Sequence, residues 1–497
     1  MRQLGLPASL RIFHSAAARK TPDVFANSLR KTLEAHRTTN RTRLIRKIYP
    51  KEDPPGLWRP EIPPQSRAGY QPPVEPALPT SEDHETPEQA SGSKKRRKRK
   101  TRGKDDDDDE CKDHSLLRWR DVIQLAEKDA AQTPWLKGLE LPRASAEVIL
   151  ETELQALATY LAPTAQELAQ IEDIRARVIA LVEREVSHTP KVIGSHCTGL
   201  ALAHSDLDFI IPFKDASQSS ERDRRPSPTR PQIKEGHIKL LRQLAGVFKQ
   251  MPNPQQEVYI TNRPQTVLSV THQPTGLLVQ FYCGEGIPAL TEYLQDYRAE
   301  YPALMPLYTV TRTLLEAHGL LYTARGGITP EALAMLIVAF LKMNHGRFRG
   351  PGSLADQLLA FLKLYGTEID LKAVGIAVDP PGFFGADTAI PAGEQETAQQ
   401  RGQRSLLNAR RTAASKKNTH AANRLCIQDP THYMNDLGRS CTRASELQST
   451  FATAYERLRR ACDERTDNTK TNPSILSSAL PVNFVNLRRV RLLLLIW

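Results

Sequence analysis

Hydrophobic positions follow a helical period in some stretches of the chain and form short, strand-like runs in others. Apolar residues recur at helical spacing from Leu116 to Glu185, for example at Leu150, Leu154 and Leu157. This spacing places them on one face of a helix. Short apolar runs follow, and such runs are typical of β-strands. They are Val192-Ile193, Leu207 to Pro212, Val258 to Thr261, Thr266 to Thr271 and Leu277 to Tyr282.

The helical period returns in the second half of the chain. It predicts helices at Pro302 to His318, Glu331 to Met343 and Leu354 to Tyr365, and a last helix marked by Phe451 and Tyr455. Helices, then a small sheet, then helices again indicate an α+β fold class. We therefore predict an α+β part at residues 116–300 and an all-α part at 301–462. Polar residues predict a surface loop at 217–231 and a flexible loop at 380–418.

The chain before residue 116 lacks the apolar content of a folded domain. Residues 23–115 are rich in proline and charge, and Lys94 to Lys100 form a basic run followed by acidic Asp105 to Glu110. Blocks of like charge repel and rarely fold, which predicts a disordered linker. The formal net charge of +12 favours a polyanionic partner.

Two other features of composition narrow the class of protein. The six cysteines are scattered without a C-x-x-C pair. This distribution fits a reducing compartment and argues against a disulfide framework and a zinc site. No apolar run is long enough to span a membrane, so we expect no membrane partner.

The first 22 residues contain Arg2, Arg11, Arg19 and Lys20 with no acidic residue. This composition is typical of a mitochondrial transit peptide and predicts a mitochondrial location. The basic run at Lys94 to Lys100 favours the nucleus instead, or is only a solvated spacer. Residues 463–497 receive no role.

One segment carries the pattern of a phosphate and metal site. Ile193 leads into Gly194-Ser195, a short helix is predicted next, and a strand then begins at Ser205-Asp206-Leu207-Asp208. Glycine lets backbone N–H groups approach a phosphate closely, and the serine hydroxyl adds a donor. Side chains alternate along a strand, so Asp206 and Asp208 point to one face.

Two carboxylates placed in this way have the oxygen ligands that Mg²⁺ or Mn²⁺ prefers. The chemistry that fits is two-metal phosphoryl transfer. An isolated Asp-x-Asp is also what a solvated strand end looks like, and the Gly-Ser turn at this separation is what favours the phosphate site.

The chain resembles the non-canonical poly(A) RNA polymerases, within the polymerase-β-type nucleotidyltransferase superfamily, from about Leu154 to Leu458. Several separated blocks carry the resemblance besides Gly194-Ser195 and Asp206 to Asp208. They are Tyr160 to Thr164, Gly326 to Ile328, Phe361 to Gly366, Leu425 to Pro430 and Asn435 to Arg439. The resemblance implies a nucleotidyltransferase palm at 116–300, joined to a helical central domain at 301–462 with the active site between them.

The resemblance also implies roles for single residues. Gly194 and Ser195 would touch a nucleoside triphosphate, and Asp206 and Asp208 would hold Mg²⁺ or Mn²⁺. Arg312 stands where relatives have a lysine against the phosphates. Asn435 lies where relatives read the base, and an asparagine there implies ATP rather than UTP as substrate.

Two positions depart from the family's pattern. Gln280 occupies the position of the third catalytic carboxylate, and an amide is neither an anionic ligand nor a base. Glu331 stands where an aromatic residue commonly stacks on the base, which weakens stacking and repels a triphosphate.

Three functions follow as expectations. The first is a template-independent polynucleotide adenylyltransferase that acts on RNA 3′ ends, with a protein partner that supplies RNA affinity. The second is a catalytically degenerate relative that binds RNA or nucleotide, or acts as a scaffold. The third is a member of the same superfamily with a substrate other than RNA. Gln280 is the residue that separates the first two.

Overall fold

The structure is a computed structural model of the chain. It describes residues 124–125, 133–186, 188–212, 230–251, 258–261, 266–272, 277–284, 288–321, 326–385, 396–466, 474–484 and 487. The predictions for residues 1–22, for the linker 23–115 and for most of the loop 217–231 lie outside the described residues. They stay predictions.

The described helices are numbered here in chain order. They are α1 (Ala146–Leu161), α2 (Ala165–Val186), α3 (Ser195–Thr198), α4 (Arg230–Gln250), α5 (Pro288–Glu300), α6 (Leu304–Ala317), α7 (Pro330–Met343), α8 (Ser353–Lys363), α9 (Ala398–Ser415), α10 (Thr419–Ala422) and α11 (Ala444–Thr466). Two 3₁₀ turns, Pro134–Leu136 and Leu476–Ser478, and a π-helical turn after α8, Leu364–Glu368, complete the helical elements described. Among these helices, none combines the length and apolar content that a bilayer crossing requires.

The strands form three sheets. They are β1 (Gln124–Leu125), β2 (Lys191–Ile193), β3 (Leu207–Ile211), β4 (Val258–Thr261), β5 (Val267–His272), β6 (Leu277–Cys283), β7 (Gly375–Val378), β8 (Pro381–Phe384), β9 (Ile427–Gln428) and β10 (Val482–Asn483). The main sheet has the order β2-β3-β6-β5-β4, in which only β3 and β6 are parallel. A second sheet has the order β8-β7-β9, and β1 pairs with β10.

The parallel strands β3 and β6 of the main sheet carry large buried aromatic side chains on the face that α4 covers. Phe209 of β3 stacks on Phe281 of β6 at 5.4 Å between ring centroids, and Phe248 of α4 lies 5.4 Å from Phe281. Phe209 points away from the face that carries Asp208, since neighbouring side chains alternate. The core therefore anchors β3 from one side and leaves Asp208 on the other.

Local capping signals set the starts of two helices. Thr164 and Glu167 bond reciprocally at the start of α2: the Glu167 N–H donates to Thr164 Oγ1 (3.2 Å) and the Thr164 N–H to the Glu167 carboxylate (2.6 Å). Thr329 Oγ1 accepts the Ala332 N–H at 3.1 Å, and Pro330 occupies the first position of α7. This cap places Glu331 in the first turn of α7.

The structure confirms the α+β class and the strands that the pattern predicted in the main sheet. It corrects the loop predicted at 380–418. Pro381–Phe384 form β8, and α9 begins with a capping box between Thr397 and Gln400 and extends to Ser415. The helix buries only a narrow face, with Leu406 and Arg410 on it, so it lacks the apolar stripe that marks a helix in sequence. The three-stranded sheet beside the helices was not predicted either.

Candidate active site

The Gly194 turn lies directly against the Asp208 carboxylate. Gly194 follows β2, has φ +73°, and its carbonyl accepts the N–H groups of Cys197 and Thr198 at 3.1 Å each, which starts α3. A Cβ at this position would lie 2.6 Å from Asp208 Oδ2. Glycine is thus required both by its backbone angles and by the space. The two motifs predicted from sequence meet at this contact.

Helix α5 holds the other side of the same turn. Gln295 donates to the Cys197 carbonyl at 2.6 Å, and Arg298 donates to the Gly199 carbonyl at 2.8 Å. These bonds satisfy carbonyl groups around a helix of four residues, which has few internal hydrogen bonds of its own. The Gly194-Ser195 turn is therefore fixed from two sides.

Asp208 faces neighbours on both adjacent strands. It pairs in register with Ile193 of β2 and with Gln280 of β6. Asp206 lies just before β3, in a loop where the buried Ser205 hydroxyl accepts the Leu202 N–H at 2.9 Å. The register therefore places Gln280 beside Asp208.

The pKa of Asp208 is raised well above its ordinary value. Burial is the largest cause, the charges of Asp206 and Glu331 add to it, and Arg312 opposes it. Four charged side chains from different elements therefore share one site. Carboxylates that repel one another in this way favour a bound cation.

Gln280 turns its amide nitrogen toward the carboxylates. Its Nε2 donates to Asp206 Oδ2 at 3.3 Å, and its Oε1 accepts the Tyr282 hydroxyl at 2.5 Å. Burial and the charges of Asp208, Asp206 and Glu331 raise the pKa of Tyr282 well above its usual value, so Tyr282 stays a donor. Gln280 thus acts as a neutral donor at the position expected for a third carboxylate. Tyr282 was missed from sequence, although its spacing of two from Gln280 places both on one face of β6.

Asp206 and Asp208 provide only part of a binding site for a divalent cation. Within the described residues, no group of three or more His, Cys, Asp or Glu side chains is arranged to hold a metal ion. Asp206 and Asp208 are the two carboxylates that would hold it. In the orientation seen, Gln280 turns its amide nitrogen toward Asp206 and its amide oxygen toward Tyr282, so the oxygen is directed away from the Asp206 carboxylate.

Arg312, predicted to contact phosphates, lies in a buried network. Its side chain is 5% exposed, and its Nε donates to Glu316 Oε1 at 2.8 Å. Glu316 Oε2 in turn lies 2.8 Å from His204 Nε2. Burial acts to raise the pKa of Glu316, but His204 and Arg312 outweigh it and lower that pKa to about 2.

This network joins α6 to the loop that carries Asp206, since His204 lies two residues before it. Neither Glu316 nor His204 was predicted as part of the site. The spacing of four between Arg312 and Glu316 is a signal for a helical ion pair. No comparable signal links His204 to a residue so far along the chain.

The charge of Glu331 acts on groups of the candidate site. From the first turn of α7 its charge acts on Asp208, Tyr282 and Tyr308, raising the pKa of each, although burial is the largest cause in all three. It adds negative charge to the site rather than an aromatic surface.

Asn435 bonds within its own loop. Its Nδ2 donates to Asp429 Oδ2 at 2.9 Å, and its backbone bonds to His432 and Asp429. Its neighbour Asp436 accepts the N–H groups of Ile427 and Gly438 at 3.0 and 2.9 Å. These bonds explain the Asn435 to Arg439 block as a shaped turn, while base reading by Asn435 stays a prediction.

The sheet with its Gly-Ser turn and Asp-x-Asp strand defines a polymerase-β-type nucleotidyltransferase fold. A solved structure of the polymerase core of TRAMP, an RNA surveillance complex, matches it with a TM-score of 0.54 at 19% identity, covering 70% of this chain and 98% of that chain. In sequence, the chain is similar to proteins named poly(A) RNA polymerases.

Two of these relatives differ in the activity that their names state. The poly(A) RNA polymerase cid14 of Schizosaccharomyces pombe is 26% identical over 72% of this chain and 49% of its own length. The inactive non-canonical poly(A) RNA polymerase protein Trf4-2 of Drosophila melanogaster is 24% identical over 68% of this chain and 75% of its own length. The chain thus spans about half the length of the first of these relatives. No model of a known protein family matches the chain.

Proposed function

We propose that this chain is a template-independent nucleotidyltransferase that adds nucleotides, adenylate from ATP by preference, to RNA 3′ ends. The observation that carries the proposal is the contact between the Gly194 turn and Asp208. A turn beside a carboxylate supports the proposal, because its backbone N–H groups would bind the phosphates of a triphosphate whose metal ion Asp208 would hold. The relatives named poly(A) RNA polymerases support the choice of reaction.

Each group of residues in the site has its own role in the proposed reaction. The Gly194-Ser195 turn binds the triphosphate through backbone N–H groups and the serine hydroxyl. Asp206 and Asp208 would hold Mg²⁺ or Mn²⁺, which when bound supplies positive charge for the triphosphate and the attacking 3′-hydroxyl. The His204–Glu316–Arg312 network keeps the loop of Asp206 in place against α6.

Primer extension tests this proposal. Purified protein, labelled ATP, an oligo(A) primer and Mg²⁺ or Mn²⁺ should give extended products, and Asp206→Ala should abolish them. Asp173→Ala is the matched control, because Asp173 is exposed on α2 and pairs only with Arg177 in the described structure. If neither metal supports primer extension, the proposed nucleotidyltransferase activity is refuted.

A catalytically degenerate relative is the second proposal, and the bonds of Gln280 favour it. With its amide nitrogen on Asp206, Gln280 supplies neither a ligand nor a base. In this case the chain binds nucleotide or RNA without turnover. Binding of ATP that Asp206→Ala weakens, together with absent extension, is the expected result.

Nucleotide preference is a finer part of the first proposal. Asn435 is proposed to face the base, with Asp429 holding its amide. Asn435→His should shift the ratio of ATP to UTP incorporation toward UTP by about tenfold, the size of one changed polar contact. An unchanged ratio would remove Asn435 from base selection.

A further inference from the structure

A groove lined by arginines runs along one face of α11. Two adjoining clefts form it, with volumes of about 260 and 210 Å³, and Arg457 lines both. Residues 449–465 line it from end to end, which makes the groove roughly 24 Å long at the rise of an α-helix. The 3₁₀ turn at Leu476–Ser478 and its neighbours form part of the opposite wall.

The lining chemistry is basic and rich in hydroxyl groups. Arg457, Arg460 and Arg465 line the larger cleft together with the single carboxylate of Glu464. His318, at the end of α6, lines the smaller cleft near Thr453. Guanidinium and hydroxyl groups are the side chains that most often bond phosphate oxygens of nucleic acids.

Two of the arginines make no ion pair with an acidic side chain among the described residues. These are Arg457 and Arg460, and both are exposed. Their neighbour Arg459 differs, because its guanidinium lies 3.2 Å from Asp463. The groove side of α11 therefore carries a net positive charge, with three arginines and one carboxylate in the lining.

The groove lies away from the acidic site. Arg312 and Glu316 share the face of α6 that is turned toward Asp208. Leu314 and His318, which line the groove, are two residues further along and so lie about 200° round the helix. The groove is thus a second surface, on the opposite side of α6 from the carboxylates.

We propose that this groove binds the phosphodiester backbone of single-stranded RNA at a distance from the 3′ end. The inference rests on the proposed RNA substrate but not on turnover. An arginine groove of this kind holds RNA without reading its sequence, because the contacts are to phosphates. It supplies affinity that the acidic active site lacks.

The test measures the binding of a labelled single-stranded RNA to the full chain over a series of salt concentrations. The double variant Arg457→Ala/Arg460→Ala should bind about tenfold more weakly. The slope of log K against log salt should fall by about 1.4, since each phosphate contact on a single strand contributes about 0.7. Arg459→Ala should change neither quantity, and Arg460→Lys should keep most of the affinity.

The outcomes separate this proposal from the proposed function. Unchanged RNA affinity and salt slope in the folded double variant would overturn the proposal that the groove binds RNA, even if the wild-type protein extends primers. RNA affinity that depends on Arg457 and Arg460 in a protein without extension supports the groove and refutes the enzyme. Competition by poly-glutamate equal to that by RNA would show a docking site for an acidic protein instead, and would overturn the RNA assignment.

Discussion

At the scale of single residues, Gln280 changes the charge of the site. A carboxylate at this position would face Asp206 and Asp208 and repel both in the absence of a cation. The amide instead donates to Asp206, with Tyr282 fixing its orientation. The metal-free protein gains a hydrogen bond at the position where the resemblance implies a third carboxylate.

Restoring the carboxylate should therefore have two opposite effects. Gln280→Asp should raise the rate of nucleotide addition by about 10²-fold, the usual contribution of a positioned base. It should also lower the melting temperature in a chelator, with recovery on adding Mg²⁺. Primer extension and thermal unfolding with and without Mg²⁺ measure both effects. Gln280→Asn is the neutral control, and a rate equal in both variants would show that the missing carboxylate does not limit turnover.

Asp208 should lower the free energy of unfolding of the metal-free protein as the pH rises. Its pKa is raised in the folded chain, so the folded state holds a proton that the unfolded state loses. The free energy of unfolding then falls as pH rises from the ordinary pKa of an aspartate toward the raised one. Asp208→Asn should melt at a higher temperature than wild type in a chelator, by an amount that grows as the pH rises above the ordinary pKa of an aspartate, while extension is lost.

Thermal unfolding over that pH range measures the difference. Asp173→Asn controls for removal of a surface charge, and its effect should stay within about 0.5 kcal/mol. A lower melting temperature for Asp208→Asn at every pH would contradict the prediction.

At the scale of elements, the glycine turn before α3 leaves no room for a side chain beside Asp208. Gly194→Ala puts a methyl group against Asp208 Oδ2 and forces a residue with a side chain to φ +73°. We expect a loss of about 2 kcal/mol in the free energy of unfolding, together with loss of ATP binding. Gly246→Ala is the matched control, because Gly246 lies inside α4 with nothing within 4 Å of an added Cβ. It should gain about 0.5–1 kcal/mol.

Denaturant unfolding and ATP titration of both variants measure these effects. If Gly194→Ala binds ATP as wild type does, the turn is not the phosphate site.

Elements with local signals could be predicted from sequence, and elements held by distant contacts could not. The strands of the main sheet are apolar runs between turn residues, and the structure places them within a residue or two of the prediction. Strand β9 has only two residues, and its partner β7 lies about fifty residues earlier. Helix α9 buries Arg410, whose guanidinium donates to the carbonyls of Val374 and Ala422. Its sequence therefore looks like a solvated loop.

In the candidate site, too, features with a local sequence signal could be predicted and contacts between distant residues could not. Gly194-Ser195 and Asp206-x-Asp208 are near each other in sequence and were predicted together. The bond between His204 and Glu316 joins residues 112 positions apart, and pattern alone does not connect them. Glu331 was recognised as a departure, but its approach to Asp208 depends on where α7 begins.

At the scale of the whole molecule, the segment at 474–487 closes the helical core. Glu153 of α1 is fully buried and accepts the Ser474 hydroxyl and the N–H groups of Ile475 and Leu476, at 2.5, 2.8 and 3.0 Å. Phe484 packs edge-on against Trp135 and Tyr160. The tail without a predicted role is thus part of the fold over the residues described.

Glu153→Ala should lower the free energy of unfolding by about 3 kcal/mol, because buried N–H groups lose a charged acceptor. A chain ending at Thr466 should lose at least as much. Equilibrium unfolding in urea measures both variants. Glu172→Ala, on the exposed face of α2 beside Arg175, should change stability by less than about 0.5 kcal/mol. Equal stability of Glu153→Ala and Glu172→Ala would show that the segment is not anchored there.

The bond between Glu153 and Ser474 spans 321 residues, and this separation has a consequence during synthesis. At a synthesis rate of roughly 10 residues per second, about half a minute passes between the synthesis of α1 and that of the segment that bonds to it. Throughout that time the Glu153 carboxylate, which is buried in the folded chain, lacks the hydroxyl and N–H donors that it bonds there. The nascent chain is thus exposed to misfolding around Glu153 until residues 474–476 are made, and a chaperone that holds α1 should raise the yield of folded protein.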